Sequence, residues 1–426
     1  MRPVNLIDFY RLRGRQWSPA GAIGDLQSAR LRRLIRHAYA SVPYYRQLFD
    51  SAGVDPRQIR SAADLSRIPV TTRETLADLS PAERTARGVD LEKCRRSVTS
   101  GTTGVPLATH FSPRDATLIN LSWIRAFSAA GMKPSDRSAA FVGRREVKRT
   151  RSWYEHFGLF RRREISAWES PDLWLDQLLR WRPRVITGYV MTLKLLAEVF
   201  RERRVDDWSP EHIFHSSAIL DRGSRRKLES VFSCRVTDFY GSDEGGCLAW
   251  ECRRCRAYHI CSDMVVVEVL QDGVPADPGE EGEVVITNLH SSAQPLIRYR
   301  QNDIVRRAAR PPVCGRSFPL LDRVRGRVDD FIVLKSGRKI SPHPVYHSLD
   351  PLKGIRRWRV IQESPDTLTV EIEPAGEFDD SCRGAVERNL RALTAGEIGI
   401  NVILRDKIPV DPDAKFRAVS SRIGSR

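Results

Sequence analysis

The sequence has 426 residues, of which 41% are hydrophobic and 29% charged, with nine Trp and fifteen Phe. Chains this rich in apolar and aromatic side chains bury a core, so wholesale disorder is excluded. No apolar run approaches the roughly 20 residues that span a bilayer. The N-terminal residues also lack the apolar segment of a secretory signal. We therefore expect a soluble, cytoplasmic protein of two or three domains that does not associate with membranes.

The net charge is strongly positive, because 70 Lys and Arg residues stand against 53 Asp and Glu residues, which gives +17. Such a balance suits a polyanionic partner. The basic residues are nevertheless spread along the whole chain. Short clusters such as Arg161–Arg163 are not interleaved with aromatic side chains, as they are in base-stacking surfaces. Nucleic-acid binding is therefore not the favoured interpretation.

The first part of the chain alternates helices with short strands. Residues 24–50 have the apolar periodicity of a helix, which Val42-Pro43 interrupts. Thr72 is a predicted helix N-cap. Further helices are predicted at 115–131, 191–203 and 221–232, and strands at 185–189, 213–217 and 236–240. This alternation predicts an α/β core with a largely parallel sheet.

The pattern changes after Cys261. Apolar runs at 264–270 and 283–289 are separated by turn residues and predict antiparallel strands. A hairpin is predicted over 328–340, and the tail has strands at 367–373 and 400–404 around a helix at 380–393. We therefore predict a large N-terminal domain, residues 1–327, and a small α+β C-terminal domain, residues 328–426.

Two segments have the composition of nucleotide-binding turns. Ser97–Pro106 combines five hydroxyl side chains with two glycines, which suits phosphate binding by backbone N–H groups, although it lacks the Gly-Lys-Ser/Thr of a Walker A loop. Asp238–Gly246 places carboxylates beside glycines at the end of a predicted strand, where Mg²⁺ sites occur. Either segment alone also fits an ordinary polar turn.

Three weaker motifs follow. They are Pro295–Asp303, which is predicted to end a strand with a carboxylate, Gly326–Asp330 at the predicted domain boundary, and Asp413–Arg417 in the tail. In this order, the five motifs resemble those of the adenylate-forming superfamily, and His37–Arg46 is similar to the N-terminal region of its phenylacetate–coenzyme A ligase family. The resemblance implies an α/β fold, with mixed sheets and helices in the large domain and a mobile C-terminal domain. It also implies a ligase that forms an acyl-adenylate from a carboxylic acid and ATP.

The resemblance also implies roles for individual residues. The catalytic residues would be Lys415, which bridges the carboxylate and α-phosphate, Glu244, which binds Mg²⁺, and Arg327, which lies next to the ribose and phosphate. Asp303 would bind the ribose, and Asp329 would be the hinge. The other expected ATP-binding residues are Thr99, Ser100, Gly101, Thr102, Thr103, Gly104, Ser217, Ala218, Phe239, Tyr240 and Gly241.

Several positions depart from the family pattern. The Thr or Ser usual before the glutamate is Asp243, the Gly usual before Asp303 is Asn302, and a common Gly before Lys415 is Ala414. Val105-Pro106-Leu107 also lacks a lysine that relatives often carry. A carboxylate at Asp243 would repel the α-phosphate unless a cation compensates. These departures leave a weakened or redirected activity open.

Four of the eight cysteines fall within fifteen positions. Cys252 and Cys255 have the spacing of half a tetrahedral zinc site. Relatives of the resembled family have similar segments here and around Cys314. We therefore predict a structural Zn²⁺ site, with other candidates in reserve. The predicted ligands are Cys252, Cys255, Cys261 and Cys314, with Cys247 and His259 in reserve.

The acceptor of the acyl group is left open by the sequence. Coenzyme A is the first expectation, an amine the second, and a carrier-protein thiol the third. An aromatic acid is the substrate that the resemblance favours. A homodimer stays open. The alternative from another class is a zinc-containing protein that has lost catalysis and binds nucleic acid or a protein partner.

Overall fold

The structure is a computed structural model that describes residues 6–99, 107–143, 153–216, 219–327, 330–350, 352–376, 378–409 and 417–423. Helices in these ranges are α1 (Leu6–Arg15), α2 (Ala20–Ser41), α3 (Pro43–Ser51), α4 (Arg73–Asp78), α5 (Pro81–Arg84), α6 (Pro113–Ala129), α7 (Trp153–His156), α8 (Pro171–Trp181), α9 (Val190–Glu202), α10 (Arg222–Val231), α11 (Pro342–Leu349) and α12 (Asp380–Leu393). No helix among the described residues is long and apolar enough to cross a membrane.

The strands complete the α/β fold that the sequence predicts. They are β1 (Arg95–Thr99), β2 (Leu107–Phe111), β3 (Ser138–Val142), β4 (Arg162–Ser166), β5 (Val185–Gly188), β6 (His212–Ser216), β7 (Arg235–Ser242), β8 (Gly246–Cys252), β9 (Ala257–Ile260), β10 (Val265–Gln271), β11 (Val274–Pro275), β12 (Glu281–Asn288), β13 (Tyr299–Arg307), β14 (Leu320–Arg327), β15 (Ile332–Val333), β16 (Lys339–Ile340), β17 (Ile355–Ser364), β18 (Thr367–Pro374), β19 (Gly399–Leu404) and β20 (Val419–Ser421).

The chain divides into two compact units, one of residues 1–131 and 239–324 and one of residues 132–238 and 325–426. One break, after Val324, falls close to the predicted boundary at residue 327. The second unit, however, also includes residues 132–238. The predicted division into domains of 1–327 and 328–426 therefore stays a prediction.

The first unit is built on antiparallel strands. Strands β11, β10, β12, β13, β14, β9 and β8 neighbour one another in that order, and the last four residues of β7 pair with β8. Strand β10 pairs with β12 in antiparallel fashion, as predicted. Helices α2 and α3 are separated at Val42, as the proline at position 43 predicts. They bury an apolar face that includes Leu31 and Ile35.

The second unit contains the predicted parallel strands and a separate apolar core near the C-terminus. Strand β3 pairs in parallel with β4 and β5, and β5 pairs in parallel with β6. The strands β19, β18, β17 and β20 form another sheet. With α11 and α12, they enclose a core that includes Trp358, Val370 and Leu390. The predicted hairpin is shorter than 328–340, because only β15 and β16 pair.

One strand assignment was wrong. The segment Pro295–Asp303 was expected to end a strand, but β13 begins at Tyr299 and continues to Arg307. Arg298 and Asn302 have positive φ angles of 46° and 58°. The left-handed Arg298 immediately precedes the first residue of β13, and the left-handed Asn302 makes the strand irregular. Apolar patterning alone does not reveal such backbone conformations.

Candidate active site and cysteine–histidine cluster

Glu244 is buried in the turn between β7 and β8, with only 3% of its surface exposed. The turn is held by two hydrogen bonds: Asn288 Nδ2 donates to the Glu244 carbonyl oxygen at 2.8 Å, and the Gly245 N–H donates to Ser242 Oγ at 2.8 Å. The Glu244 carboxylate accepts from Arg73 Nη2 at 2.9 Å and from the Tyr299 hydroxyl at 3.2 Å. The predicted metal ligand is therefore a buried, oriented carboxylate.

Arg73 and Tyr299 reach Glu244 because two distant chain segments pair beside it. Thr71 forms a parallel bridge with Tyr299. The Thr71 N–H donates to the Arg298 carbonyl at 2.8 Å, and the Arg300 N–H donates to the Thr71 carbonyl at 2.9 Å. Helix α4 then starts at Arg73, with Thr72 as the predicted N-cap. Sequence reasoning found this cap but missed Arg73, since the partner of a buried arginine is not visible in sequence.

Two of the residues predicted to bind the nucleoside are in direct contact. The Tyr240 hydroxyl donates to Asp303 Oδ2 at 2.7 Å. Tyr240 lies on β7 and Asp303 on β13, so this hydrogen bond links two of the motifs. A carboxylate fixed in this way keeps acceptor capacity for further hydroxyl groups, such as those of a ribose.

Phe239 and Gly241 shape the strand beneath this site. Phe239 is 2% exposed and makes an edge contact with Phe127, with ring centroids 5.0 Å apart. Its side chain is therefore part of the core. A Cβ at Gly241 would lie 2.8 Å from Trp123 and closer still to the Gly246 carbonyl oxygen. Only glycine fits there, because the strand passes too close to its neighbours.

The structure gives physical reasons for two of the departures from the family pattern. Asn302 adopts a φ of 58°, the left-handed region that favours Gly and tolerates Asn, so the usual Gly can be replaced there. Asp243 is exposed, and Arg95 lies within its electrostatic reach. Burial lowers the pKa of Arg95, and the Asp243 charge opposes that shift. Arg95 is thus one cation that can offset the Asp243 charge.

Arg327 belongs to a small ion-pair network in the second unit. Its backbone N–H donates to Asp330 Oδ2 at 3.3 Å, and Arg417 Nε donates to Asp330 Oδ1 at 2.7 Å. Thr99 ends β1 opposite Leu107. The remaining predicted residues lie outside the described residues. They are Ser100, Gly101, Thr102, Thr103, Gly104, Ser217, Ala218, Asp329 and Lys415.

A cluster of soft ligands joins the β8–β9 turn to the loop before β14. The ligand atoms of Cys252, Cys255, His259 and Cys314 all lie within 4.8 Å of one another, and all four residues are buried. His259 Nε2 lies 3.2 Å from Cys314 Sγ, and His259 Nδ1 lies 2.9 Å from the Phe318 carbonyl oxygen. A proton on Nδ1 satisfies that carbonyl and leaves Nε2 to bind a metal. Burial lowers the pKa of His259 to about 4, which keeps the imidazole neutral.

The predicted ligand set therefore needs one correction: His259, held in reserve, takes the place of Cys261. Cys261 Sγ lies 3.8 Å from Cys247 Sγ, beside the buried ion pair of Arg125 and Asp263. In the antiparallel ladder, His259 pairs with Trp250. Cys261 follows the end of β9, and its thiol lies next to Cys247 instead. Spacing along the sequence cannot distinguish these positions, because His259 and Cys261 would share one face of a continuing strand. They separate because β9 ends at Ile260.

Comparison with known proteins bears on the family and the fold. No protein-family model matches the chain. Two relatives named phenylacetate–coenzyme A ligase, from Thermus thermophilus and Escherichia coli, are each 30% identical to it. The alignments cover 74% and 73% of this chain and 73% and 72% of the relatives. The crystal structure of 2-hydroxyisobutyryl-CoA ligase in complex with 2-HIB-AMP has a TM-score of 0.78 at 20% identity, and the match covers 96% of this chain and 92% of that one.

The fold is that of the adenylate-forming acid–CoA ligases. Within that class, the sequence identity to the two named relatives, and the share of the chain that it covers, identify the family. The chain belongs to the phenylacetate–coenzyme A ligase family.

Proposed function

We propose that the protein activates an aromatic or arylacetic acid with Mg·ATP and transfers the acyl group to coenzyme A. A carboxylate oxygen attacks the α-phosphorus of ATP, pyrophosphate leaves, and an acyl-adenylate forms. The coenzyme A sulfur then attacks the acyl carbon, AMP leaves, and the thiol proton passes to solvent. Family membership supports this reaction type, and the printed names of the relatives suggest the acid.

The observation that carries the proposal is the buried carboxylate of Glu244, oriented by Arg73 and Tyr299 beside the Tyr240–Asp303 hydrogen bond. Mg²⁺ prefers one or two carboxylates together with phosphate oxygens, and this carboxylate fits that preference. Glu244 would hold the metal of Mg·ATP, and Asp303 would hold the ribose. Arg327 and Lys415 would supply positive charge to the phosphates.

The experiment that tests the acceptor is incubation with phenylacetate and Mg·ATP, offering coenzyme A, an amine mixture or a phosphopantetheinylated carrier protein in separate reactions. We expect AMP and phenylacetyl-CoA by mass spectrometry, with little product from the other acceptors. An amide or an acylated carrier protein formed faster than the thioester would contradict coenzyme A as the acceptor. If no AMP forms when phenylacetate is supplied, the proposed substrate class is contradicted.

We also propose that Cys252, Cys255, His259 and Cys314 hold a structural Zn²⁺ ion. Three thiolates and one imidazole form a standard tetrahedral donor set without an open position. The contact of His259 Nδ1 with the Phe318 carbonyl oxygen fits such a site, because it fixes the ring and leaves Nε2 for the metal. The ion would tie the β8–β9 turn to the loop before β14, within the unit that carries Glu244.

Zinc content is expected to separate this ligand set from the one predicted by sequence. Wild-type protein should contain about one Zn²⁺ per chain by plasma mass spectrometry. Cys314→Ser should lose the metal and melt at a lower temperature, whereas Cys261→Ser should keep it. Cys382→Ser, on the surface of α12, is the matched control. Zinc retained by Cys314→Ser, or lost only by Cys261→Ser, would contradict the assignment.

A further inference from the structure

The two carboxylate oxygens of Glu244 have different surroundings. Arg73 Nη2 and the Tyr299 hydroxyl both donate to Oε1, at 2.9 and 3.2 Å. Within the part of the chain that the structure describes, Oε2 accepts no hydrogen bond. Arg73 is 6% exposed and Tyr299 is 1% exposed, so both donors are held by packing. The side chain is thus fixed through one oxygen and presents the other.

We infer that Arg73 and Tyr299 are positioning residues for the metal: they fix Glu244 so that Oε2 is presented to the Mg²⁺ of Mg·ATP. This inference rests on the proposed function. Mg²⁺ demands nearly ideal octahedral geometry and gives up its waters reluctantly. A carboxylate held in one rotamer binds such an ion without losing further side-chain freedom.

The positive charge of Arg73 has a second consequence. A buried, unpaired carboxylate is strongly disfavoured, and an ion pair in the same site offsets that cost. The same charge also repels Mg²⁺. Positioning and repulsion predict opposite results when Arg73 is removed, since a lost positioning contact weakens Mg²⁺ binding and a lost repulsion strengthens it. Removing the Tyr299 hydroxyl isolates the positioning effect, because this hydroxyl contacts the same Glu244 oxygen but carries no charge.

The framework around Arg73 favours positioning. The segment carrying Arg73 is tied to β13 by two backbone hydrogen bonds at Thr71, on either side of Tyr299. The Tyr44 hydroxyl adds a contact of 3.3 Å to Thr71 Oγ1. Both donors to Oε1 are therefore fixed by one local structure. A residue that merely competed with the metal would not need this support.

The test measures ATP binding by calorimetry at increasing Mg²⁺ concentrations. The proteins compared are the wild type, Tyr299→Phe, Arg73→Lys and Arg73→Met. The same Mg²⁺ series is then repeated with the rate of pyrophosphate release as the readout. Tyr299→Phe should raise the half-saturating Mg²⁺ concentration by about five- to tenfold, the size of one ordinary hydrogen bond. Arg73→Met should raise it further, and Arg73→Lys should recover most of the loss. Asp263→Asn, which breaks the buried pair with Arg125, is the stability control and should leave the titration unchanged.

Each outcome has a distinct meaning. An unchanged or lower Mg²⁺ requirement in folded Tyr299→Phe and Arg73→Met would overturn the positioning role. A shift of equal size in Asp263→Asn would also overturn it, because the effect would then follow general destabilisation. If the wild type itself binds no Mg·ATP, the proposed function fails and the inference fails with it. Melting temperatures measured for all variants exclude unfolding as the cause.

Discussion

Lys415→Ala is expected to lower acyl-adenylate formation by about a hundred- to a thousandfold. The expected cause is the loss of one positive charge at the α-phosphate in the transition state. Lys415 comes two residues before Arg417, which pairs with Asp330 next to Arg327. Pyrophosphate release at saturating acid and Mg·ATP measures this loss.

The effect should be confined to the first half-reaction. Lys415→Ala supplied with synthetic acyl-adenylate and coenzyme A should form the thioester at close to the wild-type rate. Lys407→Ala, an exposed lysine of the same C-terminal region, is the matched control and should behave as the wild type in both assays. Equal losses in both half-reactions would show that Lys415 does not act specifically on ATP, and wild-type pyrophosphate release would remove it from the catalytic residues.

Glu244→Gln is expected to have two separable effects. The amide is a poor Mg²⁺ ligand, so pyrophosphate release should fall by at least about a hundredfold. The substitution also leaves Arg73 without its carboxylate partner, and breaking a buried pair in this way typically costs about 3–5 kcal/mol of unfolding free energy. Denaturant unfolding measures the second effect, and pyrophosphate release from the folded protein measures the first.

Asp263→Asn separates these effects. Arg125 Nη1 and Asp263 Oδ1 form a second buried pair at 2.6 Å in the same unit, and neither residue belongs to the proposed site. This variant should lose a comparable amount of unfolding free energy while the folded fraction keeps its pyrophosphate release. If both variants lose activity in proportion to stability, Glu244 has a structural role alone and its assignment to Mg²⁺ is wrong.

Sequence reasoning located the segments of the site better than its contacts. The strand predicted at 236–240 is part of β7, and Tyr240 and Asp303, each predicted to bind ATP, contact each other. Local patterns and motif order carry that information. The β13 strand, by contrast, could not be placed, because left-handed residues at Arg298 and Asn302 set its course.

The missed residues depend on contacts between distant positions. Arg73 and Glu244 are separated by 171 positions, and the Thr71–Tyr299 bridge that joins them involves no sequence pattern. The choice of Cys261 over His259 failed for a related reason. Both lie near Cys255 in sequence and are only two residues apart, and they separate because β9 ends between them, at Ile260.

The central claim is that the protein forms acyl-adenylates, and hydroxylamine trapping tests it most directly. Purified protein is incubated with Mg·ATP, hydroxylamine and a panel of aromatic and aliphatic acids, and pyrophosphate and hydroxamate are measured. Hydroxylamine captures the adenylate whatever the natural acceptor is. We predict matched, Lys415-dependent release of pyrophosphate and hydroxamate with phenylacetate or a related aromatic acid. Folded protein that binds Mg·ATP but yields neither product with any acid would contradict the account.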